Sequence, residues 1–128
     1  MNEWKGHGMI RIADEVVAVI ARIATLETEG IVGMSGGIAE GIAKRVSGKS
    51  VQKGVQVTID EDRAYIDLRV SVSFGQRIDR ICKEAQRNVK DMVENMTGIE
   101  VQVVNVRVES VDVSQAKQSS VKLEAVYL

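Results

Sequence analysis

The chain has 128 residues, 17 basic and 18 acidic, for a formal net charge of -1. That length suits one domain able to bury roughly two-thirds of its unfolded surface, and the charge balance gives no long-range field for nucleic acid or an anionic bilayer. The lone Cys82 excludes an intrachain disulfide framework, and the longest purely apolar run, Val16 to Ala21, is far too short to cross a membrane.

Residues 8–12 read as a first strand, with Ile10 and Ile12 alternating against Met9 and Arg11. Asp14 is placed to cap a helix that runs to about Glu27, with Val16, Val19, Ile20, Ile23 and Leu26 at helical spacing and Gly30 as its stop. A glycine-dense stretch follows, from Gly30 to Gly37. The four-residue recurrence of Ile38, Ile42 and Val46 predicts a second, shorter helix closed by Gly48.

Val51, Val55, Val57 and Ile59 predict a strand over 51–59. The charged turn Asp60-Glu61-Asp62-Arg63 leads into a second strand. There Ile66, Leu68, Val70, Val72 and Phe74 share one face and Asp67, Arg69, Ser71 and Ser73 the other, so the two strands form a hairpin with one wet face. From Gln76 to Met96, Ile78, Ile81, Cys82, Ala85, Val89, Met92, Val93 and Met96 step by threes and fours, the pattern of a long amphipathic helix. A final strand covers 99–108. Its apolar phase slips between Val103 and Val104, which a β-bulge would absorb while keeping both sets on the core side.

The expected fold is therefore α+β, a single domain over residues 8–113 in the order β-α-α-β-β-α-β. Its mixed sheet is covered by the helix 76–96, with an N-terminal arm (1–7) and a C-terminal tail (114–128) outside it. Aromatic residues are only 3% of the chain, so the core must be aliphatic.

Few residues point to chemistry. His7 is the only histidine, and one imidazole makes neither a triad nor a metal site. Cys82 falls on the apolar stripe of the long helix, where a thiol stays protonated. Asp60, Glu61 and Asp62 lack the spacing of a calcium loop. Gly48-Lys49-Ser50 carries the last letters of a phosphate loop, but Ala43 stands where its first glycine belongs. No catalytic residue, metal site or cofactor is expected.

Two readings of a binding function remain. Gly33-Met34-Ser35-Gly36, between two predicted helices, is arranged like the GxxG loop of a type I KH domain, which would bring RNA as a partner. Met34 and Ser35 stand, however, where such loops carry Lys or Arg. The other reading is self-association. The Val-rich strand 99–108 has little edge protection, so Gln102, Val104, Asn105, Val106 and Arg107 are interface candidates. Trp4, an aromatic outside the predicted core, is another. A homo-oligomer, at least a dimer, is expected.

Several landmarks recur in a fixed order: Gly8-Met9-Ile10-Arg11-Ile12, Glu29-Gly30-Ile31-Val32-Gly33-Met34, Lys53-Gly54-Val55-Gln56-Val57 and Ile66-Asp67-Leu68-Arg69-Val70-Ser71-Val72. Phe74-Gly75, Met96-Thr97-Gly98-Ile99-Glu100-Val101 and Val104-Asn105-Val106-Arg107-Val108 complete the set. Their order over about four-fifths of the chain resembles the alkaline-shock family, the envelope stress response proteins of Gram-positive bacteria. The resemblance implies a non-enzymatic cytoplasmic protein that assembles with itself and with membrane-anchored partners, tied to envelope stress or to control of lipid synthesis. The absence of a legible signal peptide agrees with a cytoplasmic location.

Overall fold

The computed structural model describes residues 6–35, 45–46 and 49–114. In chain order they form α1 (Asp14–Leu26), β1 (Ile31–Met34), β2 (Arg45–Val46), β3 (Lys49–Gln52), β4 (Val55–Asp60), β5 (Arg63–Ser73), α2 (Ile78–Thr97) and β6 (Glu100–Asp112).

Strict alternation makes β5 the centre of the sheet. Ala64, Ile66, Leu68, Val70 and Val72 are all buried on one face, while Tyr65, Asp67, Arg69 and Ser71 point to the other. β4 pairs antiparallel with β5 from Asp60↔Arg63 to Val55↔Leu68, and β1 pairs antiparallel with residues 70–72. β6 runs parallel to β5 from Arg63↔Glu100 to Ser73↔Asp112. Because β6 occupies one side of β5 throughout, β4 and β1 share the other side end to end. β3 and β2 extend the sheet beyond β4. The stretch 51–59, expected as one strand, is therefore two: the chain turns back at Lys53-Gly54, so Val51 lies on β3 and only Val55, Val57 and Ile59 on β4.

Gly54 stands where β1 and β4 abut. The Arg69 N–H donates to Gly54 O at 2.8 Å, and the Ser35 N–H donates to Arg69 O at 3.0 Å. Gly54 has φ +77°, and a Cβ there would lie 2.7 Å from Met34 Cβ. Only glycine permits both that backbone conformation and that approach.

A parallel pair needs a crossover, and α2 supplies it between β5 and β6. Its Ile81, Ala85, Val89 and Val93 are buried, Met92 packs half-buried against the core, and Arg80, Lys83, Glu84, Arg87 and Lys90 face outward, as the helical spacing predicts, whereas Ile78 and Met96 at the two ends of the stripe are exposed. α1 packs beside α2 against β3 and β4 on the same face of the sheet. The polar groups between the helices are satisfied locally. Thr25 Oγ1 donates to Ala21 O at 2.7 Å, Thr28 Oγ1 to Ala24 O at 3.0 Å, and Asn88 Nδ2 of α2 to Thr28 Oγ1 at 3.0 Å.

Several expectations are corrected. Residues 8–13 form no strand, so the order begins with a helix. Met9 is 79% exposed. The stretch expected as a second helix has Arg45–Val46 in β2; residues 36–44 and 47–48 lie outside the described residues. Asp14 opens the first turn of α1 rather than capping it, since the N-cap is Ala13, which makes no side-chain cap bond. Phe74 lies past the end of β5 and is exposed, beyond the cover of the helices.

The largest difference is the orientation of α1. Of its predicted core positions only Ile20 is buried; Val16, Val19, Ile23 and Leu26 remain 37–47% exposed. The buried arc is Val17, Ala18, Ile20, Ala21, Ala24 and Thr25. α1 is apolar on both sides, and the arc with three alanines allows the closer approach to α2 and the sheet.

Candidate interaction surface

β6 follows the last helix and has β5 on one side only, so it is an edge of the sheet. It carries two bulges. Gln102 is extra between Val101↔Ala64 and Val103↔Tyr65, and Glu109 is extra between Val108↔Val70 and Ser110↔Ser71. The expected phase slip is therefore present but falls at Gln102. In consequence Val103 joins Tyr65 on the open face and is exposed rather than turned to the core.

The two ends of the β6 edge differ. At the start, α2 reaches over it with one row of polar side chains at four-residue spacing. Gln86 Nε2 donates to Val104 O at 2.9 Å and Lys90 Nζ to Val101 O at 3.3 Å, while Glu94 Oε2 accepts the Val101 N–H at 2.9 Å. Lys90 Nζ also lies 2.9 Å from Glu94 Oε2. The Val101 N–H, then the Lys90 ammonium, hold the Glu94 carboxyl below its ordinary range. The bond to Glu94 in turn raises the Lys90 pKa. Beneath this row lies an open groove of about 570 Å³, lined in part by Gln86, Arg87, Lys90, Gln102 and Val104.

Past Val104 the α2 row ends. Val101 and Val104 send their backbone groups away from β5, whereas Asp112 O accepts the Phe74 N–H at 3.0 Å on the β5 side. Strand alternation, with Glu109 as the extra residue, then leaves Val106, Val108 and Val111 outward. Among the described residues none of these three has a backbone partner on that side.

The sheet face opposite the helices carries short polar links. Asn105 Nδ2 donates to Asp67 Oδ1 at 2.8 Å, Ser71 Oγ meets Ser110 Oγ, and Arg69 lies 3.7 Å from Glu109.

The sequence-derived candidates separate accordingly. Gln102 and Arg107 are exposed on β6, and Asn105 is exposed but tied to Asp67. Val104 and Val106 are half-buried against the core. Trp4 lies outside the described residues. Gly33 and Met34 belong to β1 rather than to a loop between helices, and Met34 is buried opposite Val70. Ser35 follows β1, and Gly36 is outside the described residues.

Cys82 is half-buried rather than a core residue; burial and then Asp79 push its thiol pKa up. Asp60 ends β4 and Glu61 and Asp62 form the β4–β5 turn, and no group of three potential metal ligands converges among the described residues. The row Gln86, Lys90 and Glu94 was not singled out from the sequence. Its four-residue spacing is legible, but nothing in the sequence says that a strand edge lies beneath it.

A family model described as having a cell envelope-related function, that of alkaline shock protein 23, matches residues 2–113. The chain is 34% identical to the uncharacterized protein YqhY of Bacillus subtilis over 101 residues, covering 79% of this chain and 75% of that one. It is 33% identical to the uncharacterized protein YloU of the same organism over 110 residues, covering 84% and 92%. A stress response regulator gls24 homolog of Streptococcus pyogenes is 28% identical over 112 residues, covering 87% of this chain and 62% of the relative.

Proposed function

Because the chain belongs to the alkaline shock protein 23 family, of cell envelope-related function, we propose that it serves the envelope stress response by protein–protein contact, not by catalysis. Its own edge strand β6 is the self-association surface, and the protein works as a homo-oligomer in the cytoplasm. No helix among the described residues is long and apolar enough to cross a membrane. In this reading any membrane link is therefore made through an anchored protein partner.

The observation that carries the reading is the outer edge of β6 beyond Val104. An edge strand with unpaired donors and acceptors is a template for another strand unless charge, proline or cover protects it. The first part of β6 has such cover from Gln86, Lys90 and Glu94, and the second part has none among the described residues. Val111 is 41% exposed and Val113 36%, next to the 60% exposed Phe74, which adds an apolar component beside the edge.

Light scattering on the full chain over a range of micromolar concentrations tests the proposal. A mass that rises to at least a dimer is expected. A constant monomer mass overturns it.

A further inference from the structure

We propose that residues 106–113 pair antiparallel with the same residues of a second copy, about a two-fold axis between Glu109 and Ser110, so that Val108 faces Val111 of the other chain. This deepens the self-association reading and rests on it. The occupant of the edge is a second copy of this chain, and three features of β6, the second of which follows from the first, select the register.

The first is the bulge. Glu109 adds one residue between Val108 and Val111, the two outward-pointing positions on either side of it. A regular partner strand would be one residue short there. Pairing centred between Glu109 and Ser110 sets bulge against bulge, so neither strand has an excess.

The second is agreement of both periodicities. Val106, Val108 and Val111 point their backbone groups outward, and the same alternation extends to Val113. In this register Val108 meets Val111 and Val106 meets Val113, outward residue against outward residue, as a hydrogen-bonded antiparallel pair requires. Val106, Val108 and Val111 lie level with Leu68, Val70 and Val72, which face the helices. The four valines of each copy therefore form one row, continued by the exposed Phe74, and the uncovered Val111 and Val113 gain a partner.

The third is charge. Arg107 and Asp112 lie on the open face, level with Arg69 and Ser73. The register sets Arg107 opposite Asp112 of the other copy, twice by symmetry. Within its own chain Arg107 stands beside a like charge, Arg69, and Asp112 uses Oδ1 for the Ser114 N–H at 2.9 Å. The interface stops short of Val104 because Gln86 already holds that carbonyl.

Disulfide trapping in the full chain with Cys82→Ser tests the register. Arg107→Cys and Asp112→Cys are made separately, then oxidised alone and as a mixture. The mixture should give a cross-linked dimer. Neither variant should do so alone, since residues 107 of the two copies would be about 17 Å apart along the strands. Cross-linking of either variant with itself overturns the register. A dimeric mass with no cross-link in the mixture overturns this pairing and leaves self-association standing, whereas a monomeric mass for the unaltered chain defeats both. In a second experiment Arg107→Asp should weaken the dimer by roughly tenfold, and adding Asp112→Arg should restore it. Unchanged affinity in the single variant overturns the charge pairing, and an unchanged thermal midpoint shows that folding is not the cause of any loss.

Discussion

Glu94 of α2 accepts the backbone N–H of Val101 at 2.9 Å, so a helix side chain does for this edge what a neighbouring strand would otherwise do. Val101 is itself buried, and its amide would be desolvated without a partner. The Gln86–Lys90–Glu94 row thus divides β6 into a closed start and an open end.

Removing the carboxylate should loosen the start of β6. Its pKa is lowered in the folded state, first by the Val101 N–H and then by Lys90. The bond therefore stabilises the fold above the ordinary value of 4.5, and that contribution is lost as pH falls through the lowered value. Glu94→Ala should have a lower urea midpoint than the unaltered chain near neutral pH. The gap should narrow in acid. A gap independent of pH would show that the charge is not involved.

The orientation of α1 predicts opposite responses at neighbouring positions. Ile23 is half exposed, so Ile23→Lys should change stability by only about 0.5 kcal/mol or less. Ala21 is fully buried, and Ala21→Leu should destabilise by about 1–3 kcal/mol through overpacking. Urea unfolding of the two variants checks the assignment, and the reverse ranking would place the aliphatic stripe in the core.

Gly54→Ala should destabilise by more than about 1 kcal/mol. The added methyl would lie 2.9 Å from the carbonyl oxygens of both Arg69 and Ser35, in a left-handed backbone conformation. Thermal unfolding measures the loss. Amide exchange at Arg69 should quicken too, because its N–H donates to Gly54 O.

The β4–β5 turn carries removable strain. Glu61 and Asp62 have φ of 52° and 64°, values that suit Asn and Gly far better than these residues. Replacing the pair by Asn-Gly should stabilise the protein by about 1 kcal/mol, read as a higher thermal midpoint. No gain would mean that the acidic side chains compensate for their backbone conformation.

The legible parts were those where one periodicity had one outlet. In β5, Ile66, Leu68, Val70 and Val72 could be buried only on one face, and in α2 the stripe from Ile81 to Val93 had a charged face behind it. The pairing of β4 with β5, the long helix and the final strand followed from such patterns, whereas the single strand expected over 51–59 is broken at Lys53-Gly54 into β3 and β4. So did the presence of a bulge, since Val103 and Val104 break the alternation, though the extra residue proved to be Gln102. The family resemblance, carried by short landmarks in fixed order, agrees with the family match over residues 2–113.

By itself, then, the sequence determined the α+β class, the central hairpin, the long covering helix and the family, because each rests on local period or on order along the chain. Tertiary structure alone decided the rest. Ile10 and Ile12 alternate like a strand but join no sheet, and the two sides of the central β5 are taken by β4, β1 and β6. α1 offers two apolar arcs, and which one is buried depends on how closely Ala18, Ala21 and Ala24 let it approach its neighbours. Gly33 and Met34 became strand because the pairing of β4 with β5 ends at Val55↔Leu68 and leaves residues 70–72 of β5 open on that side. The division of the β6 edge arises from contacts between two different elements, α2 and β6, in which Gln86 meets Val104 and Glu94 meets Val101. A pattern read along one segment holds no information on what a distant segment will cover.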